Sequence, residues 1–514
     1  MAKPNCYFPH LASFPQTHSA RNATDQSLPQ TTVSAPATAW SGYTVLAVTT
    51  LGIDLGTGSV KVAVVSADST ILSRASKAYP ISSPIPGWAE SDPQDWLAAT
   101  EEAAAQAMGL APEPPQAVGF SGQMHGVVVT DASLTPLRPA ILWADTRSSA
   151  EAQHMNDELG AAQMATLGSA AVAGFAATTI AWLNRHEPEV MARAHHIMQP
   201  KDWLRAILGG TVGTEPSDAS GTLLSDVATG EWSNIAIEWS GAKRELLAEI
   251  HSSTGDAGHI TIAGHTLPCV FGGADTSCAI AGLGLGPGGG FVAVGSGAQV
   301  VAVLKHPTLD PSLATHTFAT AGDKAGGWYR IGAVQNAGLA LEPTLALLGS
   351  SFDEAHEALS EGVSDNDPIF VPYLSGERTP FMNPHLRGSW HNISLGTTRT
   401  MILRSVLEGV AQAVALAVNA VSDTGGEMPE ILPLIGGGST NPAFRQLLAD
   451  CANRPLANVE GADAAVIGAA LLGSGHTTNP RHLEHSLVTT PRESEVALLA
   501  SRREKLLDAM GSTS

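Results

Sequence analysis

Leu51-Gly52-Ile53-Asp54-Leu55-Gly56-Thr57-Gly58-Ser59-Val60-Lys61-Val62-Ala63-Val64-Val65 reads as two strands joined by a glycine turn. Residues 43–54 form a β-rich run, residues 55–59 supply the turn, and residues 60–65 leave as the second strand. The incoming strand ends on a carboxylate, Asp54. Every side chain between Gly56 and Ser59 is small, so an anion can reach the backbone; Gly56 and Gly58 also admit positive φ. Thr57 and Ser59 add hydroxyl donors. Such a turn suits the phosphates of a nucleotide, with Asp54 placed to hold a Mg²⁺ through water. A plain hairpin in which Asp54 only caps the turn is the simpler reading. The stretch matches neither the Walker loop nor the dinucleotide fingerprint.

The same theme returns in the second half. Residues 291–294 lead into Gly295-Ser296-Gly297-Ala298-Gln299, and residues 300–304 leave as a strand. Two such units, about half the ordered chain apart, predict a duplicated domain. Between them, Asp92 is a good N-cap and Pro93 suits the first helical position. Trp96, Ala99, Ala103 and Ala107 then share one helix face. Further on, residues 398–421 predict a long helix with Leu403, Val406, Leu407, Val410 and Val414 on its apolar side. A strand over 430–435, the turn Gly436-Gly437-Gly438-Ser439, and a helix over 443–452 opened by Asn441 and Pro442 follow. The helix over 464–472 is small and apolar enough for close packing. Strands alternating with helices predict an α/β fold.

With 514 residues, the chain is too long for one ordinary core, and two large domains are expected: 48–285 and 286–490, with a helical tail at 491–514. Residues 1–47 are rich in Ser, Thr, Pro, Gln and Asn and are expected to be a disordered extension. The formal net charge of −21 excludes nucleic acid or an anionic membrane as the main partner. A chain this acidic needs local positive charge, backbone N–H groups or a divalent cation to handle phosphates. Cys6, Cys269, Cys278 and Cys451 lack metal-site spacing and read as reduced packing thiols. No apolar run reaches the ~18 residues of a membrane span, and no secretory signal is evident, so a cytoplasmic enzyme is expected. A homodimer is left open.

Three further stretches carry candidate chemistry. Gly272-Gly273-Ala274-Asp275-Thr276 follows a strand-like run and holds a lone carboxylate between small residues, suited to accepting a proton from an attacking hydroxyl. Helix capping is its plainer use. Gly122-Gln123-Met124-His125-Gly126 joins polar tips to an apolar Met, which suits a polyol; a buried, satisfied His125 is the alternative. Trp143, Asp145 and Arg147 offer stacking and hydrogen bonds to the same ligand, or a packed Trp beside an ion pair. The Gly436-Gly437-Gly438 turn, with Asn441 at the next helix start, offers a flat surface and free N–H groups for adenosine.

In their order along the chain, these motifs resemble the FGGY carbohydrate kinases, and within them the xylulokinases. The likeness runs from about Leu51 to Leu472. It rests also on Gly119-Phe120-Ser121, Arg138-Pro139-Ala140-Ile141, Pro200-Lys201-Asp202-Trp203-Leu204, Ser217-Asp218-Ala219-Ser220-Gly221-Thr222 and, most sharply, Pro372-Tyr373-Leu374-Ser375-Gly376-Glu377-Arg378-Thr379-Pro380. The resemblance implies two actin-like (ribonuclease H-like) domains with an interdomain catalytic cleft, ATP and Mg²⁺, and transfer to the 5-hydroxyl of D-xylulose. It implies Asp275 as catalytic base and Asp54 as the carboxylate near metal and phosphates. Met124 and His125 would touch the ketose, Gly56–Ser59 and Gly295–Gly297 the phosphates, and Gly436–Gly438 the adenosine. Gln-Met-His favours xylulokinases over glycerol kinases, which carry an Arg-Glu pair there. Thr179 stands in place of a usual Lys, Thr276 of Asn, Ser296 of Thr and Asn392 of Gly. A kinase for another ketose or polyol, and a catalytically silent nucleotide-binding relative, are the competing expectations.

Overall fold

The computed structural model describes residues 49–459, 463–479 and 487–511. Cys6 and the extension expected over residues 1–47 lie outside them. The opening hairpin is as expected, with β1 (Thr50–Leu55) antiparallel to β2 (Ser59–Val65), and β3 (Ile71–Ala78) continues the meander. Helix α1 (Pro93–Leu110) is capped by the Asp92 side chain, which accepts from Gln94 N. It buries Trp96, Ala99, Ala103 and Ala107 against β2 and β3. Burying a face of this kind stabilises by roughly 25 cal/mol per Å² of apolar surface removed from water.

Strand β4 (Ala117–Gly122) lies parallel to β1, with Ser121 opposite Asp54. Strands β5 (Asp256–Ile262), β6 (His265–Val270) and the short β7 (Gly273–Ala274) complete a seven-stranded sheet in the order β3-β2-β1-β4-β6-β5. Strand β7 pairs in parallel with β4, Gly273 opposite Ser121. The register thus brings the carboxyl ends of β1, β4 and β7 together, where ligands of open α/β sheets bind. Helix α2 (Asp275–Gly282) leaves directly from β7.

The second sheet repeats the plan. Strands β8 (Gly290–Val294) and β9 (Ala298–Leu304) form the hairpin, and β10 (His316–Ala319) and β11 (Trp328–Val334) extend it. Strands β12 (Leu432–Ile435), β13 (Leu456–Asn458) and β14 (Leu487–Thr489) give the order β10-β11-β9-β8-β12-β13-β14. Here β12 is parallel to β8, as β4 is to β1. Helix α3 (Arg399–Asp423), capped by Thr398, covers this sheet as α1 covers the first. By length and composition α3 is apolar enough to cross a membrane, but it is interrupted by Arg404, Glu408 and Gln412 and is buried inside the protein.

Helix α4 (Pro442–Ala452) follows the glycine turn, and α5 (Ala464–Gly473) crosses back to pack on β1, β4 and α2. The approach is at backbone contact. A Cβ on Gly119 would stand 1.8 Å from Ala469 O, and one on Gly468 1.8 Å from Cys278 O. No side chain larger than hydrogen fits at either place. The tail forms helix α6 (Glu493–Gly511), tied to α3 by the buried Arg502–Glu408 pair at 2.6 Å. Cys269, Cys278 and Cys451 are free and buried, as expected of packing thiols.

Candidate active site

Asp54 stands next to the end of β1 and Asp275 directly after β7, and both strands pair with the end of β4. The hydroxyl of Ser121, directly across from Asp54, donates to Asp54 Oδ1 at 2.7 Å. Asp275 is the first residue of α2, and its Oδ1 accepts from Thr276 N at 2.6 Å and Thr276 Oγ1 at 3.3 Å. Burial pushes the Asp275 carboxyl up from its ordinary value to about 7, and the negative charge of Asp54 adds to the rise. Asp54 is raised too, by burial, against the pull of Ser121 and Lys61. Two neighbouring carboxylates, each made more basic by a dry setting, form an acceptor for a proton or a hard cation.

Beneath them lies a charged platform whose role the sequence did not disclose. Lys201 Nζ is fully buried among Asp202 at 2.8 Å, Asp218 at 2.9 Å and Glu215 at 3.4 Å, and Arg205 joins Asp202 at 2.7 Å. Glu215 also accepts from Ser217 Oγ at 2.8 Å. Ser217 Oγ in turn accepts from Ala274 N at 2.8 Å, fixing the backbone that carries Asp275. The resembling stretches at Lys201 and Ser217 are therefore support for β7. Removing one partner would leave a buried charge unmet, at a cost of roughly 3–5 kcal/mol.

The first turn differs in one respect from expectation. Neither Gly56 nor Gly58 adopts positive φ; what they contribute is the missing side chain. Gly56 O receives the hydroxyl of Tyr79 and, at 3.2 Å, Gln123 Nε2. Trp143 Nε1 donates to Thr57 Oγ1 at 2.9 Å, linking the turn to the proposed polyol residues. The second turn, Gly295-Ser296-Gly297, is exposed at Gly295 and Ser296 and is held by Gly338 N donating to Gly295 O at 3.0 Å. In the third, Gly436 has φ 89°, so its conformation favours glycine, and Gly437 has open space where a Cβ would be.

Met124 and His125 sit in an aromatic group drawn from both halves. The His125 ring stacks on Phe175 with centroids 3.9 Å apart and lies 5.6 Å from Phe318. Its Nδ1 meets Gly221 O at 2.6 Å. Burial pushes its pKa down to about 3, so the imidazole is neutral, and Nδ1–H is the donor. Tyr329 donates its hydroxyl to Met124 Sδ at 3.4 Å.

Other candidates are spent internally. Asp145 accepts from Ala89 N at 2.6 Å and from Arg147 Nε at 2.9 Å and NH2 at 2.8 Å. Arg147 also pairs with Glu90 at 2.7 Å and lies 3.6 Å over Trp88. The two charges pair with each other, while Arg147 NH1 is buried without a partner among the described residues. The Asn441 side chain accepts from Ala443 N and Phe444 N, as the N-cap of α4. Thr179 is buried with its Oγ1 unpartnered, and Asn392 takes φ 62°, which Asn tolerates best after Gly. A cavity of about 600 Å³ opens beside Glu151, Arg185 and Trp239 and is lined by none of the candidate residues.

Residues 49–282 match the FGGY family of carbohydrate kinases, N-terminal domain, and residues 290–475 match its C-terminal domain. The chain is 31% identical over 455 residues to the xylulose kinase of Escherichia coli (strain K12), covering 86% of this chain and 93% of that one. It is 32% identical over 434 residues to that of Klebsiella pneumoniae, covering 82% and 89%. The crystal structure of a xyloylose kinase from Brucella ovis superposes with a TM-score of 0.83 at 28% identity, over 90% of this chain and 99% of that one. The xylulose kinase from Bifidobacterium adolescentis gives 0.75 at 26%, over 89% and 99%.

Proposed function

The chain belongs to the FGGY family of carbohydrate kinases, and from that membership we propose that it transfers the γ-phosphate of ATP to the 5-hydroxyl of D-xylulose. The observation that carries the mechanism is Asp275, a carboxylate at the start of α2 beside Asp54 and held near neutrality by burial. In this reading Asp275 accepts the proton of the sugar hydroxyl as its oxygen bonds to the γ-phosphorus. The bond from that phosphorus to the bridging oxygen breaks, and ADP leaves with the electron pair. The transition state is loose, so positioning and charge balance supply most of the acceleration.

Among the described residues no group of three or more His, Cys, Asp or Glu could enclose a metal. Asp54 with Asp275 nevertheless fits Mg²⁺ carried in on the nucleotide, which takes one or two carboxylates, waters and phosphate oxygens. When bound it would offset the negative charge of the phosphates. The Gly56–Ser59 and Gly295–Gly297 turns would hold the phosphates, the Gly436–Gly438 turn the adenosine, and Met124, His125 and Trp143 the sugar. Neutral His125 offers a ring nitrogen to a hydroxyl without adding charge, and Met124 offers a carbon surface. D-Xylulose is favoured over other acceptors by Gln123-Met124-His125 and by the likeness to xylulose kinases. A cytoplasmic address goes with consumption of ATP and with free thiols.

A panel of ketoses and polyols, assayed by ADP release, tests the reading. D-Xylulose should give the highest kcat/KM. A higher value for any other sugar would overturn the choice of substrate, and ATP binding without transfer to any sugar would favour a silent relative.

A further inference from the structure

Arg378 follows Glu377, whose carboxylate is fully committed. It accepts from Gln335 N at 2.7 Å, Arg378 N at 2.8 Å and Asn336 Nδ2 at 3.0 Å. That clamp fixes the backbone from which Arg378 reaches the first half of the chain. Its guanidinium carbon lies 5.6 Å from the Trp143 ring centroid and 5.8 Å from that of Phe175. Arg147, Arg205, Arg404 and Arg502 all hold carboxylates. The Arg378 side chain has no hydrogen bond and no ion pair with any described residue, and its Nε is buried without a partner. An unmet buried donor is costly, and in a chain of net charge −21 an unpaired guanidinium is a reserved one.

His316, on β10, borders the same group. Its Nδ1 meets Ser169 Oγ at 2.5 Å, its ring centroid is 5.8 Å from that of Phe175, and its Nε2 is buried without a partner. The charge of Arg378 is felt at His125 and His316, whereas Asp275 feels Asp54. Through Phe175 the open cation shares one aromatic group with His125 and His316.

We propose that Arg378, aided by His316, binds the carbonyl end of the ketose, opposite the hydroxyl that faces Asp275, and so sets the preference for a ketose over a polyol. This rests on the sugar-kinase reading above. A ketone oxygen only accepts, and a guanidinium only donates, so the match is one-sided. The second half of the chain would then recognise sugar as well as nucleotide, and the site would be complete only with both sheets in place.

The test compares wild type with Arg378→Met and Arg378→Lys on D-xylulose and xylitol, with melting temperature recorded for each. Arg378→Met should raise KM for the ketose about 10- to 100-fold, as expected for a lost charged hydrogen bond, with KM for ATP changed less than about twofold. The polyol should be affected less, and Arg378→Lys should recover part of the loss. If Arg378→Met fails to fold, Arg378→Lys carries the test, since a point charge cannot reproduce the planar fork. An unchanged ketose KM would overturn the proposal. So would an equal loss on ketose and polyol with a rise in KM for ATP, which would place the guanidinium on the phosphoryl group. If wild type ignores D-xylulose but uses another ketose, the substrate assignment fails, and Arg378 is judged on that ketose and its polyol. No turnover on any sugar defeats both.

Discussion

One residue before the end of β1 stands Asp54, paired across the sheet with Ser121; at the same place on β8 stands Ala293, paired with Ile435. The two hairpins share their turn chemistry, their antiparallel partner and a parallel neighbour on the other side. They differ in what the strand end presents. The first presents a carboxylate steadied by a hydroxyl, and β7 delivers a second carboxylate beside it. The second presents an apolar pair. The repeated scaffold thus makes two glycine-lined turns, while the carboxylate pair belongs to the first sheet alone.

The comparison breaks most readily at Asp275. Asp275→Asn should lower sugar phosphorylation by at least about a thousandfold, within the range for loss of a general base. The same change should not destabilise the fold. The folded value of about 7 lies above the ordinary 3.8, so the fold favours the protonated form. That contribution is full below about pH 4 and is lost as pH rises to about 7. Above pH 7 the ionised group is therefore a burden, and the neutral amide should leave the melting temperature equal or higher, measured without nucleotide and Mg²⁺. A large fall in melting temperature would assign Asp275 to architecture.

Asp54→Asn should cost about 10²- to 10³-fold in turnover, the scale for removing one aligned electrostatic group, with the residual rate needing more Mg²⁺. An unchanged Mg²⁺ requirement would separate Asp54 from the metal. On the second sheet the effect should be smaller and of another kind. Asn441→Ala removes the cap of α4 and should cost ~1 kcal/mol of stability by chemical denaturation. Any role at the nucleotide should appear as a rise in KM for ATP of less than about tenfold. Stability loss with KM unchanged would leave Asn441 a cap alone.

Much of this was legible in the residues. The glycine turns, Asp54, Asp275 and the long helix over Arg399–Asp423 announce themselves through local pattern. What stayed hidden depends on distant partners. The contacts of Asp145 with Ala89 N and of Arg147 with Glu90 appear only in the fold. Arg378 lies in the sharpest stretch of the resemblance, yet only the fold brings it over Trp143 and Phe175, both more than 200 positions earlier in the chain. The glycines at 119 and 468 likewise gain their meaning only when α5 crosses back onto the first sheet.

The most direct measurement is a crystal structure of the protein with ADP, Mg²⁺ and D-xylulose. The Asp275 carboxylate should lie within about 2.6–3.2 Å of the sugar's 5-hydroxyl, with that oxygen directed toward the nucleotide phosphates. A sugar bound with its 5-hydroxyl turned from Asp275, or an Asp275 side chain pointing away from both ligands, would contradict the account.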